Sequence, residues 1–188
     1  VLDASGGDGG TGAPPKAGKR FAGAIWREDS LTRLVASNLT PDPKTGAGRW
    51  SDDMFARAIR EGVGHDGRAL HPQMWYGSFR FLSDEDVASV VVYLRSLPPV
   101  VNALPPTRLT DERRAEIEAV LKPLTAPVPE PDRSNTLARG RYLAVAADCA
   151  GCHTSWYSKR MPGTLAGGNL IERDSSNAFS VNITPDPS

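Results

Sequence analysis

The sequence predicts an all-α protein. Apolar residues recur every three or four positions in several segments, which is the spacing of one buried helix face. Nowhere does the sequence alternate apolar and polar residues for long, as a half-buried strand would require. The 18 glycines and 16 prolines gather between the helical segments, so we expect long loops to connect the helices.

Two helices are predicted from capping residues in the first half of the chain. Ser51 can cap a helix whose first turn is acidic and which ends at Gly62. Ser83 and Asp86 form a capping box at the start of a second helix, which Pro98 stops. The apolar positions of this second helix, at helical spacing, are Val87, Val90, Val91 and Leu94.

Two further helices are predicted on either side of a proline-rich segment. Thr110 begins a helix that closes before Pro123. Its inward residues are Ile117, Val120 and Leu121. Residues 126–131 contain three prolines and predict a stiff linker. Ser134 begins a final helix that leads into Cys149.

The run Cys149-Ala150-Gly151-Cys152-His153 is the pattern through which a polypeptide binds haem covalently. Two thiols three residues apart lie on one side of a helical turn, where both can form thioethers with the vinyl groups of one porphyrin. The next residue then presents its imidazole to the iron. The motif therefore predicts haem c attached at Cys149 and Cys152, with His153 as the proximal iron ligand.

Other chemistries of paired cysteines fit this chain less well. A thioredoxin-like dithiol would lie between a strand and a helix, whereas an alanine-rich helical segment precedes Cys149. A structural zinc site needs four ligands, and outside this motif the sequence offers only His65 and His71, with no further cysteine. Two inert, buried cysteines are the remaining alternative.

The chain contains an internal repeat with an offset of 144 residues. Residues 38–43, Asn-Leu-Thr-Pro-Asp-Pro, return as residues 182–187, Asn-Ile-Thr-Pro-Asp-Pro. The same offset aligns residues 21–24 with residues 165–168 without a gap. Two matching blocks in one register predict two copies of a module of ordinary domain size.

The two copies are interrupted at complementary places. The second has its Cys-x-x-Cys-His motif but stops at Ser188, directly after the repeated loop. The first continues past that loop and has no such motif before it. We therefore expect a piece of a longer protein, with a first haem motif upstream of Val1 and the second distal ligand beyond Ser188. The predicted domains are residues 1–101, a linker at 102–133 that contains a short helix, and residues 134–188.

These features resemble diheme or multiheme c-type cytochromes, of the kind that serve as the cytochrome subunit of membrane-bound alcohol and sugar dehydrogenases. Besides the haem motif, the segments that carry the resemblance are residues 22–23, 38–43, 46–53, 60–63, 66–68, 72–74, 82–87, 93–97 and 139–143. The resemblance covers most of the chain. It implies tandem cytochrome c-like modules, both incomplete here, joined by the proline-rich linker.

The resemblance also implies roles for individual residues. Met74 lies where the family has the distal iron ligand of the first module, although Trp75 replaces the proline that commonly follows. His71 is the alternative ligand. The repeated loops imply contacts with haem propionates, and Trp50 would cover the same pocket or anchor the following helix. The loop residues concerned are Asn38, Thr40, Asn182 and Thr184.

The function implied is electron transfer from a periplasmic dehydrogenase, through haem c, to a quinone or a terminal oxidase. Such a subunit is itself non-catalytic. Two alternatives stay open. One is a haem enzyme with an open sixth iron position that acts on a small anion or peroxide. The other is a docking segment in which residues 111–122 bind the dehydrogenase.

Composition agrees with this function and argues against others. With 22 basic and 22 acidic side chains, the chain carries no net charge that would favour nucleic acid. Its most apolar run, residues 87–94, is far shorter than the roughly 20 residues that span a bilayer. We therefore expect membrane association only through missing segments or partners. The resemblance implies a periplasmic protein, at the periplasmic face of the inner membrane.

Overall fold

A computed structural model describes residues 18–155, 165–173 and 176–185. At residues 171–173, 176 and 177 it describes the backbone alone. The chain divides into two compact units, Val1–Val128 and Pro129–Ser188. Helix is the main secondary structure of the described residues, as the sequence predicts.

The first unit begins with a hairpin and continues with helices. Its strands, β1 (Ala24–Glu28) and β2 (Arg33–Ala36), pair antiparallel. Its helices are α1 (Asp52–Glu61), α2 (Tyr76–Phe79), α3 (Asp84–Arg95) and α4 (Asp111–Val120), with a 3-10 turn at Pro72–Met74 before α2. The second unit contains α5 (Thr136–Ala146), α6 (Cys149–His153) and a hairpin of β3 (Leu170–Arg173) and β4 (Ser176–Phe179).

Side-chain caps begin the predicted helices. Ser51, Ser83 and Thr110 each accept a hydrogen bond from the backbone N–H three residues on, at 3.2, 3.1 and 3.2 Å. The last predicted cap is displaced by one residue, since Asn135 accepts from Ala138 N at 3.0 Å. The Ser134 hydroxyl instead donates to the Asp132 carboxylate at 2.6 Å. Local capping chemistry therefore fixes where these helices begin.

Two short hairpins depart from the all-α prediction, which was wrong in this respect. β1 pairs with β2 through a register shift between Ile25 and Arg27, and Leu170 of β3 lies opposite Phe179 of β4. The strands have only four or five residues, too few for alternation to be recognised in the sequence. The bulge in β1 interrupts its alternation further.

The core of the first unit lies between α1 and α3. Its buried residues are Ala47, Phe55, Ile59, Val87, Val91 and Leu94, with Trp50 and Met74 partly buried against them. Val90 was also predicted on this apolar face, but its side chain is 41% exposed. The buried stripe of this helix consists of the other three predicted residues, Val87, Val91 and Leu94.

Residues 102–128, predicted as linker, lie within the first compact unit. Ile117 of α4 is only 1% exposed, whereas Val120, also predicted to face inward, is 58% exposed. Arg33 and Arg108 exchange two backbone hydrogen bonds, both of 2.8 Å, which tie the segment to β2. The segment is thus part of the first compact unit up to Val128. The module boundary at residue 101 remains a prediction.

The two copies of the sequence repeat share a local structure. Gly23 and Gly167 have φ values of 77° and 75°. The residue two positions before each glycine accepts a backbone hydrogen bond from the repeated loop, at 2.8 Å in the first copy and 3.0 Å in the second. In each loop the asparagine Oδ1 accepts from the backbone N and the hydroxyl of the threonine two residues on. Residues 186 and 187 of the second loop lie outside the described residues.

Replacing Gly23 by alanine is expected to destabilise the protein by about 2–4 kcal/mol. The left-handed backbone disfavours an L-residue, and an added Cβ would lie 2.7 Å from Asn38 N and closer still to Ala36 O. Gly67→Ala is the matched control, because Gly67 has φ 81° but nothing within 4 Å of an added Cβ. Urea denaturation should show the smaller loss for the control. Equal losses would mean that the close approach at Gly23 contributes nothing.

Candidate functional site

Cys149, Cys152 and His153 lie on one short helix. α6 follows α5 across a turn at Asp148, whose φ is 53°. Both thiols are free and half-buried. Because residues three apart are neighbours on a helix surface, the two sulfur atoms belong to the same side of α6. This is the arrangement that two thioether bonds to one porphyrin require.

The imidazole of His153 is held by a backbone carbonyl. Its Nδ1 lies 2.8 Å from Val181 O. A carbonyl oxygen can only accept, so Nδ1 carries the proton and donates it. The lone pair of the neutral ring is then on Nε2. Fixing the tautomer and the ring plane in this way is how proteins prepare a histidine to bind a metal.

The backbone on both sides of His153 is also fixed. Gly167 N donates to His153 O at 2.6 Å. The Asn169 side-chain amide donates to Cys152 O at 2.8 Å and to Thr154 O at 2.7 Å. Asn169 was not among the predicted site residues. The repeat gives no signal for it, because the residue that aligns with it in the first copy is Ile25.

The predicted propionate contacts lie in the repeated loops, which differ in burial. In the second loop, Asn182 is exposed and accepts from Thr184 N and Oγ1 at 2.8 and 2.7 Å. In the first, Asn38 and Thr40 are 3% and 1% exposed. There Asn38 Nδ2 donates to Val100 O at 2.8 Å, which fastens the chain after α3 to the loop. Contacts of these four residues with haem remain predictions.

Met74, the predicted distal ligand, ends the 3-10 turn and is partly buried against the core. Trp75, at the position where the family commonly has proline, has φ 57°. Proline is fixed near about −65° and cannot adopt this conformation. The loop after Met74 therefore differs from one that contains proline, and the Trp75 side chain is 42% exposed. Ligation of iron by Met74 remains a prediction.

Tyr76 is a candidate that sequence reasoning missed. Its ring packs against Gly62, where an added Cβ would lie 2.6 Å from it. The Tyr76 hydroxyl is buried and has no hydrogen-bond partner among the described residues. Burial raises the pKa of the phenol, so the hydroxyl stays protonated at neutral pH. An unpaired buried hydroxyl costs about 1–3 kcal/mol. Its position two residues after Met74 therefore fits a bound group that offers an acceptor.

His71, the alternative distal ligand, caps the 3-10 turn. Its Nδ1 accepts from Gln73 N at 3.3 Å, and its Nε2 lies 3.5 Å from Arg113 Nη2. Burial lowers the pKa of His71, and the positive charges of Arg113 and Arg27 lower it further. The imidazole is therefore neutral at neutral pH.

Trp50 and His65 form a stacked pair at the start of α1. Their ring centroids are 4.5 Å apart with an interplanar angle of 16°, and His65 is exposed. Trp50 also contacts Phe55 of the core, with centroids 5.2 Å apart. Trp50 thus anchors the helix that follows it, one of its two predicted roles. Its predicted place over a haem pocket stays open.

Several known proteins are similar in sequence to this chain. No protein-family model matches the chain. It is 35% identical over 180 residues to a nicotinate dehydrogenase subunit of Pseudomonas putida, which covers 89% of this chain and 15% of that protein. It is 34% identical over 147 residues to the gluconate 2-dehydrogenase cytochrome c subunit of Pantoea cypripedii, covering 74% of this chain and 33% of that subunit. The chain is a homologue of bacterial cytochrome c subunits.

This cytochrome homologue also matches a diheme cytochrome c-type protein of Cereibacter sphaeroides. The two are 31% identical over 126 residues, which is 64% of this chain and 43% of that protein. The chain thus spans less than half the length of each of these three relatives. The homology confirms the resemblance seen in the sequence and supports electron transfer as the class of function.

The cofactor implied by these cytochrome c homologues is covalently bound haem c. The residues of α6 fit it, with two free thiols at the required spacing and an imidazole whose Nε2 is left to bind iron. Cys149 and Cys152 would hold the haem, and His153 would be its proximal ligand. When bound, haem supplies a one-electron redox centre.

A metal-ion site built from several side chains and a membrane span would each place requirements on the described part of the chain. There, no three His, Cys, Asp or Glu side chains are grouped as a metal-ion site. None of the helices described combines the length and apolarity needed to cross a bilayer.

Proposed function

We propose that this protein transfers electrons through haem c attached at Cys149 and Cys152. The observation that carries the proposal is the hydrogen bond from His153 Nδ1 to Val181 O, which leaves Nε2 available beside two free thiols on one helix. A ligand held rigidly in this way needs little rearrangement when the iron changes oxidation state. A small rearrangement on change of oxidation state is what an electron carrier requires.

The proposed electron donor is a dehydrogenase. Relatives carry the names gluconate 2-dehydrogenase cytochrome c subunit and fructose dehydrogenase cytochrome subunit, which supports a partner that oxidises a small organic substrate. In this proposal the substrate reacts on the partner, and this chain receives the electrons.

The proposed acceptor is a quinone or a terminal oxidase at the periplasmic face of the inner membrane. The names of three relatives, alcohol dehydrogenase (quinone) cytochrome c subunits, support quinone as the acceptor. We propose the periplasmic location because the sequence of this protein resembles those of cytochrome c subunits that work with periplasmic dehydrogenases.

The proposal is tested with the full-length protein matured with the haem-attachment machinery. After anaerobic reduction by dithionite, soluble ubiquinone should reoxidise the haem, and cyanide should not bind to the resting protein. Reoxidation by peroxide alone, together with cyanide binding, would contradict the proposal and support a haem enzyme with an open sixth position.

Replacing Met74 by leucine tests the distal ligand of the first module in that same protein. Loss of the thioether should convert one haem from low-spin to high-spin iron, allow it to bind cyanide and lower its reduction potential, because thioether ligation raises the potential. Met54→Leu is the control, since Met54 is a half-buried residue of α1. Identical spectra for Met74→Leu and the parent protein would exclude Met74 as a ligand.

A further inference from the structure

One buried amide joins the carbonyl groups of the two residues that flank His153. Asn169 is 0% exposed, and its Nδ2 donates to Cys152 O at 2.8 Å and to Thr154 O at 2.7 Å. We call this pair of contacts the Asn169 bridge. The residue before His153 and the residue after it are therefore held by a single side chain.

The Asn169 bridge is itself fixed by the segment that binds the imidazole. Ser180 N donates to Asn169 O at 2.8 Å, and Asn169 N donates to the Ser180 hydroxyl at 2.9 Å. The next residue, Val181, accepts from His153 Nδ1 at 2.8 Å. The hydrogen bonds between residues 169 and 180 thus connect two sets of contacts. One set is the Asn169 bridge to the backbone around His153, and the other is the hydrogen bond of Val181 O to the His153 ring.

Only some side chains can form this bridge. An amide offers two N–H donors on one nitrogen, which matches two carbonyl acceptors. Aspartate has no donor when ionised, and aliphatic side chains have none at all. The residue that aligns with Asn169 in the first copy of the repeat is Ile25, so the bridge is a feature of the second copy and not of the repeat.

We propose that Asn169 is a positioning residue that sets the orientation of His153 toward the haem iron. This inference rests on the proposed function. Holding Cys152 O fixes the peptide plane that precedes His153, and holding Thr154 O fixes the residue that follows it. Val181 O then fixes the rotation of the imidazole. The hydrogen bond at Nδ1 makes the imidazole a stronger donor to iron, and this favours the ferric state. Weakening the bridge should therefore raise the reduction potential of this haem.

The test uses Asn169→Asp and Asn169→Ala in the full-length, haem-loaded protein. Both should attach haem covalently, as judged by the pyridine haemochrome spectrum. In both variants the equilibrium constant for reduction of this haem should rise by about tenfold. This corresponds to a reduction potential higher by about 59 mV for one electron. The Nδ1 proton of His153, followed by NMR, should exchange with solvent about tenfold faster, as expected for loss of roughly 1.4 kcal/mol of hydrogen bonding.

Asn135→Ala is the matched control. Asn135 caps α5 through Ala138 N, at the end of α5 opposite the haem motif, so its loss should cost about 1 kcal/mol without changing either quantity. Parent-like potential and proton exchange in both Asn169 variants would overturn the inference and leave the proposed function intact. Loss of covalent haem in both variants would also overturn it, by assigning Asn169 to folding or attachment. Absence of covalent haem from the parent protein would instead refute the proposed function.

Discussion

Replacing His153 by alanine is expected to abolish the low-spin spectrum of the haem at Cys149 and Cys152 while leaving that haem covalently attached. The thioether bonds do not involve the imidazole, whereas the iron loses its proximal ligand. Mutation of a residue that hydrogen-bonds to a metal ligand typically lowers metal affinity or activity by about 10–100-fold. Loss of the ligand itself should therefore slow electron transfer by at least about 100-fold. Difference spectra and stopped-flow oxidation by ubiquinone measure the two effects.

His65→Ala provides the control for this experiment. His65 is exposed and stacks on Trp50 at 4.5 Å in the first unit, so its removal should leave the spectrum of the haem at Cys149 and Cys152 unchanged. A parent-like low-spin spectrum in His153→Ala would show that another group is the proximal ligand.

Replacing Ile117 by alanine is expected to destabilise the protein by about 2–5 kcal/mol. Ile117 is 1% exposed and belongs to α4, in the segment that the sequence assigned to a linker. Because the segment is part of the first unit, truncating this side chain leaves a cavity rather than a surface change. The midpoint of urea denaturation of the full chain should fall accordingly.

Val120→Ala is the matched variant on the same helix. Its side chain is 58% exposed, so its truncation should change stability by no more than about 0.5 kcal/mol. If Ile117→Ala were equally mild, α4 would not contribute to the fold. The alternative in which residues 111–122 form a docking segment would then gain support.

The sequence predicts the haem motif and the helix starts because both depend on residues close together in the chain. Ser51, Ser83 and Thr110 cap their helices across only three residues. Cys149, Cys152 and His153 are likewise a local pattern that one helical turn brings together. Such short-range features need no knowledge of the tertiary fold.

Other parts of the structure depend on contacts that the sequence does not encode locally. Asn169 reaches carbonyls 15 and 17 residues away, and no periodic pattern marks it. Val90 and Val91 both fit a helical apolar stripe, and only packing between α1 and α3 decides which of them is buried. The hairpins are too short for a period-two pattern, and Ile117 shows its role in the first unit only through its burial.

The most direct test of electron transfer through this haem motif is the mass of the peptide that contains residues 149–153, isolated from full-length protein matured with the haem-attachment machinery. We expect one haem joined through both sulfur atoms. Two unmodified thiols in that peptide would contradict the proposed function, because His153 would then have no iron to bind and the Asn169 bridge would hold only a helix end.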